Sequence, residues 1–126
     1  MLTNRMEGFV AYRGAKFRIV YAVRSNGSCP AREFYDSLPE SDRAKIMALF
    51  VRMGDHGQIR NEEKFKHVEG PYYAFKSFQI RILCRFQPGG RLLLLHGLHK
   101  KKDRYNPMDI ETAERIFAEH SRGKLP

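Results

Sequence analysis

Lys76, Arg81, Arg85, His96 and the run Lys100-Lys101-Lys102 crowd one part of the chain, with Tyr105 just beyond it. These residue types suit the cleavage of a phosphodiester in RNA. A cation stabilises charge developing on the phosphate, a second group deprotonates the 2′-hydroxyl, and a third protonates the leaving 5′-oxygen. Arg81 suits the first task. His96 is the residue type most often used for proton transfer near neutral pH, whereas a lysine base such as Lys76 needs nearby positive charge to lower its pKa. Arg85 and the three lysines can bind flanking phosphates. Tyr105 can stack on a base or cap a hydrophobic edge. Each also has a plainer reading: solvated strand arginines, a hydrogen-bonded structural histidine, an ordinary exposed lysine run. His96 and His99 have HxxH spacing, but no nearby acid or cysteine completes a metal set. The sequence holds no Gly-rich phosphate loop, Ser-His-Asp set or paired carboxylates, and it calls for no cofactor.

Two hairpins must position these groups. Residues 78–102 read FQIRILCRFQPGGRLLLLHGLHKKK, two apolar runs joined at Pro88-Gly89-Gly90. With Gly89 and Gly90 at the loop centre, Phe86 faces Leu93, Cys84 faces Leu95 and Arg81 faces Leu98. Alternation then puts Ile80, Ile82, Cys84, Phe86, Leu93, Leu95 and Gly97 on a helix-covered core face. Arg81, Leu83, Arg85, Leu94, His96 and Leu98 take the other. A tight connection near Ser77-Phe78 pairs Ala74 with Arg81 and Lys76 with Gln79, bringing Lys76 to the cationic face.

The rest of the chain reads as support. Residues 1–15 form an N-terminal extension in which FVAY, 9–12, can add a short strand. Residues 16–23 alternate like a strand. Ser28 is placed to cap a helix that runs to about Leu38, and Pro39 starts another over roughly 40–53. There Ile46, Leu49, Phe50 and Met53 make one apolar stripe. Residues 58–70 are polar and read as an exposed loop, and 72–77 as a strand. Asn106-Pro107 is an N-cap with a first-turn proline, and its helix precedes a tail at 123–126. The economical solution is an antiparallel sheet with helices on one face, in one domain.

Of the 126 residues, 23 are Lys or Arg against 14 Asp or Glu, a formal net charge of +9. That excess favours a polyanion or an acidic protein partner. Cys29 and Cys84 are the only cysteines; without a CxxC they read as free thiols, Cys84 in an apolar strand face. No apolar run approaches the roughly 18–20 residues of a membrane span. Arg5 and Glu7 interrupt any signal-peptide core, so the expected location is the cytoplasm. Composition and spacing end at a basic α/β domain equipped to bind RNA.

The runs KHVEGPYYAFKSFQIRILCRF, LLLLHGLHKKKDRYNP and DIETAERI resemble the phage-associated branch of HigB toxins in the RelE/ParE superfamily. The resemblance spans about residues 16–120. Its most specific parts are Arg81 ahead of an apolar run, and the strand-end HG-x-x-KK leading to a proline-started helix. Lys76, Lys100 and Lys101 match the family's basic positions, and Lys66-His67-Val68 its segment before the strand. Two positions depart: Asn106-Pro107 stands where Thr-Pro is common, and Ala74 where a glutamate is frequent. The second departure shifts the base role to His96 or a lysine. The resemblance implies an α+β, RelE-like fold over residues 16–122, a small antiparallel sheet with two N-terminal helices and one C-terminal helix packed on it. It further implies the toxin of a type II toxin–antitoxin system, a ribosome-dependent mRNA endonuclease held inactive by a helix-turn-helix antitoxin. A ParE-like inhibitor that binds DNA gyrase, or a non-catalytic nucleic-acid-binding protein, is the alternative.

Overall fold

The computed structural model describes residues 9–101 and 104–123. Its elements are β1 (Val10–Arg13), β2 (Arg18–Tyr21), α1 (Pro30–Ser37), α2 (Glu40–His56), β3 (Phe65–Glu69), β4 (Tyr72–Ser77), β5 (Ile80–Gln87), β6 (Arg91–His99) and α3 (Pro107–Arg122). The strands form one six-stranded sheet in the order β1-β2-β6-β5-β4-β3. Neighbours are antiparallel except β2 and β6, which run parallel.

The expected fold, a small antiparallel sheet carrying two N-terminal helices and one C-terminal helix, is corrected, although a C-terminal helix does close the chain. The sheet is larger and mixed, and two strands precede the first helix. Helices also cover both faces rather than one. The cause is visible in Leu92-Leu93-Leu94-Leu95, all four fully buried. Successive strand side chains point to opposite faces, so a continuous apolar run needs cover on both sides. Leu92 and Leu94 pack with Ile19, Phe75, Ile82 and Cys84 under Ile46, Phe50 and Met53 of α2. Leu93 and Leu95 pack with Val20, Ala74 and Leu83 under Ile110, Ala113 and Ile116 of α3.

The β5–β6 register holds where expected at Arg81–Leu98, then shifts by one between Leu83 and Cys84. Leu95 is the extra residue of a bulge, and Cys84 pairs with Leu94, Phe86 with Leu92. The loop takes Pro88 as well as Gly89 and Gly90, both glycines at positive φ. Such a one-residue slip exchanges faces. Leu93 and Leu95 therefore lie on the Arg81 face, and Leu94 on the Ile82 face, the reverse of the simple alternation.

In the β4–β5 hairpin Lys76 pairs with Arg81 and Ala74 with Leu83, two residues from the expected register. An even slip keeps every face, so Lys76 and Arg81 still share one. The turn closes on Phe78 and Gln79, with Phe78 at φ 54, a conformation uncommon for a bulky residue. Residues 58–70 are not wholly a loop, since Phe65–Glu69 pairs with β4 as the sheet's outer strand. Cys29 rather than Ser28 stands at the α1 N-cap, and Pro30 occupies the first turn. Asn106 caps α3 as expected, its side chain accepting from Met108 N at 2.9 Å. Cys29 and Cys84 are buried free thiols, both pushed up by burial, Cys84 well above the usual thiol range.

Candidate functional site

Lys76 and Arg81 face each other across β4 and β5. Three segments converge on this rung. β3 adds Lys66 and His67, β6 runs out into Lys100, and the link to α3 brings Tyr105. Lys100 is anchored where its N–H donates to Gln79 O at 2.7 Å. Lys66, His67, Val68, Lys76, Arg81, Lys100 and Tyr105 together line a cavity of about 220 Å³. Among the described residues no carboxylate lines it, and Ala74, at the position where the resemblance has a frequent glutamate, is fully buried against α3's core.

Lys76 Nζ donates to Glu62 O at 2.9 Å. Its pKa is lowered, first by burial and then by Arg81, Lys66 and Lys100, with Glu63 opposing. Burial and like charge both disfavour the ammonium form. A lysine meant to accept a proton needs that environment.

Arg81 is aimed by backbone: Nη1 donates to Phe78 O and, at 2.8 Å, to Ile80 O. Its Nε is buried without a partner. Burial raises the Tyr105 phenol, and Arg81 opposes that through charge and a side-chain hydrogen bond. Lys100 Nζ sits 5.1 Å from the Tyr105 ring centroid, a cation–π contact. His67 Nε2 lies 2.8 Å from Gly70 O. A carbonyl only accepts, so Nε2 carries the proton, and in the neutral ring Nδ1 is left as an acceptor.

Lys76, Arg81, Lys100 and Tyr105 are thus brought together, and other sequence candidates are not. Arg85 lies with its guanidinium carbon 3.8 Å from the Phe117 ring centroid, packed against α3. His96 Nε2 is 2.9 Å from Asp109 Oδ1 and does not line the cavity. Lys101 lines a neighbouring cleft of about 240 Å³ with Lys100, Arg104, Tyr105 and Asp109. Lys102 lies outside the described residues. His99 turns away from His96 and sits 5.3 Å from Phe34, so the HxxH pair does not converge. Among the described residues no group of three or more His, Cys, Asp or Glu could hold a metal ion, and no helix is long and apolar enough to cross a membrane.

Lys66 and His67 are cavity residues that their polar surroundings hid within an expected loop. The signal for them was Gly70-Pro71. Gly70 adopts φ 52 and turns FKHVE back against YYAFKS. A glycine at positive φ between two such segments marks a hairpin.

A family model described as phage derived protein Gp49-like (DUF891) matches residues 33–118, more than half of the chain. Every residue lining the 220 Å³ cavity falls within that match. No curated protein matches the chain.

Proposed function

The chain belongs to the phage-derived Gp49-like family, a family of RelE/HigB-like toxins of toxin–antitoxin systems, and from that premise we propose that it is a toxin that cleaves messenger RNA on the ribosome. The observation that carries the reading is the crowding of Lys76 by burial, Arg81, Lys66 and Lys100 in a cavity that no carboxylate lines among the described residues. In this reading the neutral Lys76 amine takes the proton of the 2′-hydroxyl. The 2′-oxygen forms a bond to phosphorus while the bond from phosphorus to the 5′-oxygen breaks. Arg81, held by two backbone carbonyls, stabilises the charge gathering on the phosphate oxygens. The 5′-oxygen leaves with a proton drawn from the wall formed by Lys100 and Tyr105, yielding a 2′,3′-cyclic phosphate and a 5′-hydroxyl. Lys66, Lys100 and Lys101 hold neighbouring phosphates.

Such an activity in the cytoplasm calls for restraint, and the partner we assign is an acidic antitoxin with a helix-turn-helix domain. The net charge of +9 supports an acidic partner through charge complementarity.

The test is single-turnover cleavage on programmed ribosomes, beside mapping of transcript ends after induction. Arg81→Ala should cut about 10²–10³-fold more slowly, with ribosome affinity within a few-fold of the parent. Cleavage at the parental rate would place the chemistry elsewhere. Intact messages with a DNA-damage response would replace this reading with gyrase inhibition.

A further inference from the structure

Arg13, Arg18 and Arg91 stand side by side on three adjacent strands. Arg13 pairs with Arg18 in β1–β2, and Arg18 pairs with Arg91 in β2–β6. Paired positions project to the same face, and neighbouring strands lie about 4.8 Å apart. Three guanidinium groups therefore share one rung, on the α3 side of the sheet. Like charges in direct opposition destabilise a sheet. Other cationic side chains on this face have partners: Arg24 holds Glu119 and Arg85 lies on Phe117. Among the described residues no ion pair reaches Arg13, Arg18 or Arg91, and Arg91 Nε is buried without a hydrogen bond.

These arginines line a shallow cleft that also reaches His120 and, among the described residues, is lined by no acidic one. His120 Nδ1 accepts from the Val23 N–H at 3.0 Å, and its pKa is lowered by burial and then by Arg91. The cleft's volume of about 30 Å³ admits one or two oxygens of an anion but not a nucleoside. Guanidinium groups present paired N–H donors that match phosphate oxygens. Arg91 begins β6 and Lys100 follows its end, so the cleft and the cavity at Lys76 lie about 30 Å apart along that strand.

We propose that Arg13, Arg18 and Arg91 form a second phosphate site that grips RNA backbone remote from the cleavage cavity, an inference that rests on the reading of the protein as an RNA-directed toxin. Arg13 and Arg18 precede the family match at residues 33–118, so this grip draws on a part of the chain outside it. Its role is affinity without sequence preference, since phosphate contacts position an RNA but do not read it.

The experiment compares the full chain with the triple variant Arg13→Gln, Arg18→Gln, Arg91→Gln. A second triple variant, Lys45→Gln, Arg52→Gln, Arg60→Gln, removes the same charge from exposed positions. Binding is measured over a salt series to a short single-stranded RNA with 2′-deoxy substitution at the cut site, and to vacant ribosomes. The first triple variant should lower the salt slope by about one, the change for one phosphate that is no longer neutralised, and weaken binding at least about ten-fold at physiological salt. Its single-turnover rate at saturation should stay within about two-fold. A loss confined to the oligonucleotide assigns the phosphates to the message, and one confined to ribosomes assigns them to ribosomal RNA; either supports the site. Unchanged slopes in both arms, or an equal drop in the control triple, overturn it. So does weaker antitoxin binding with RNA slopes intact, which would make the cluster a protein contact. If Arg81→Ala abolishes cleavage while the arginine triple behaves as the parent, this inference alone fails. A parent that binds neither RNA overturns the functional reading with it.

Discussion

His96 Nε2 lies 2.9 Å from Asp109 Oδ1, tying β6 to the first turn of α3. The contact sits on the Arg81 face yet outside the cavity, so its work is to dock the helix. His96→Gln should cost about 1.5–3 kcal/mol of stability in denaturant unfolding, the scale of a hydrogen bond to a charged partner. Its single-turnover cleavage should remain within a few-fold of the parent. A hundred-fold rate loss at unchanged stability would instead make His96 a proton-transfer group.

The environment of Lys76 sets a pH dependence. Its pKa is lowered from 10.5 by burial and by Arg81, Lys66 and Lys100, so the neutral amine accumulates at a lower pH than for a free lysine. Cleavage should rise with pH through that lowered value. Removing a neighbouring cation lets the pKa climb back, so Lys66→Ala should move the rising limb toward higher pH. A pH–rate profile of the chemical step checks this, and a limb that stays in place would rule out Lys76 as the base.

Glu119 makes a different pH prediction. Arg24 donates to both its carboxylate oxygens, at 3.3 and 2.6 Å, and the Ser25 N–H donates at 3.0 Å. The Arg24 hydrogen bonds first, then the Ser25 backbone, hold its pKa at about 2. A folded pKa below the unfolded one stabilises the fold above the unfolded value and loses that stabilisation as pH falls. The contribution should therefore drain away between about pH 4.5 and 2. In Glu119→Gln the fall of the melting temperature across that window should be shallower than in the parent. Identical acid limbs would refute the clamp.

Gly14 and Gly54 bring β1's end against α2. A Cβ on Gly14 would stand 2.1 Å from the Gly54 carbonyl carbon. The Gly54 oxygen also accepts from Lys16 N at 2.7 Å and Phe17 N at 2.9 Å. Because the clash is with backbone, no side-chain rotation relieves it. Gly14→Ala should cost about 1–3 kcal/mol, seen as a lower denaturant midpoint. An unchanged midpoint would mean that this strand end is not seated on the helix.

The Arg85 contact with Phe117 predicts a structural arginine. Arg85→Ala should leave the RNA salt slope unchanged while lowering stability by about 1 kcal/mol as its cation–π interaction and packing disappear. A slope reduced by about one would return Arg85 to the RNA surface.

What the sequence determined by itself was local. The α2 stripe of Ile46, Leu49, Phe50 and Met53 is buried as its spacing required, because a period of 3.6 lies within a few residues. Asn106-Pro107 opens α3 because capping is a contact between neighbours. Lys76 and Arg81 share a face since any even register of one hairpin gives that result. Long-range pairing decided the rest. Nothing local places Arg18 beside Arg91 in a parallel ladder, or FKHVE at the sheet's far edge. The bulge at Leu95 reversed Leu93, Leu94 and Leu95 because α2 and α3 each needed apolar contact, a demand set by elements far apart in the chain. Arg85 and His96 looked available because Phe117 and Asp109, which engage them, arrive on a helix from beyond the hairpin. Residue type and alternation fix which way a side chain points. Only the packed structure decides what it meets there.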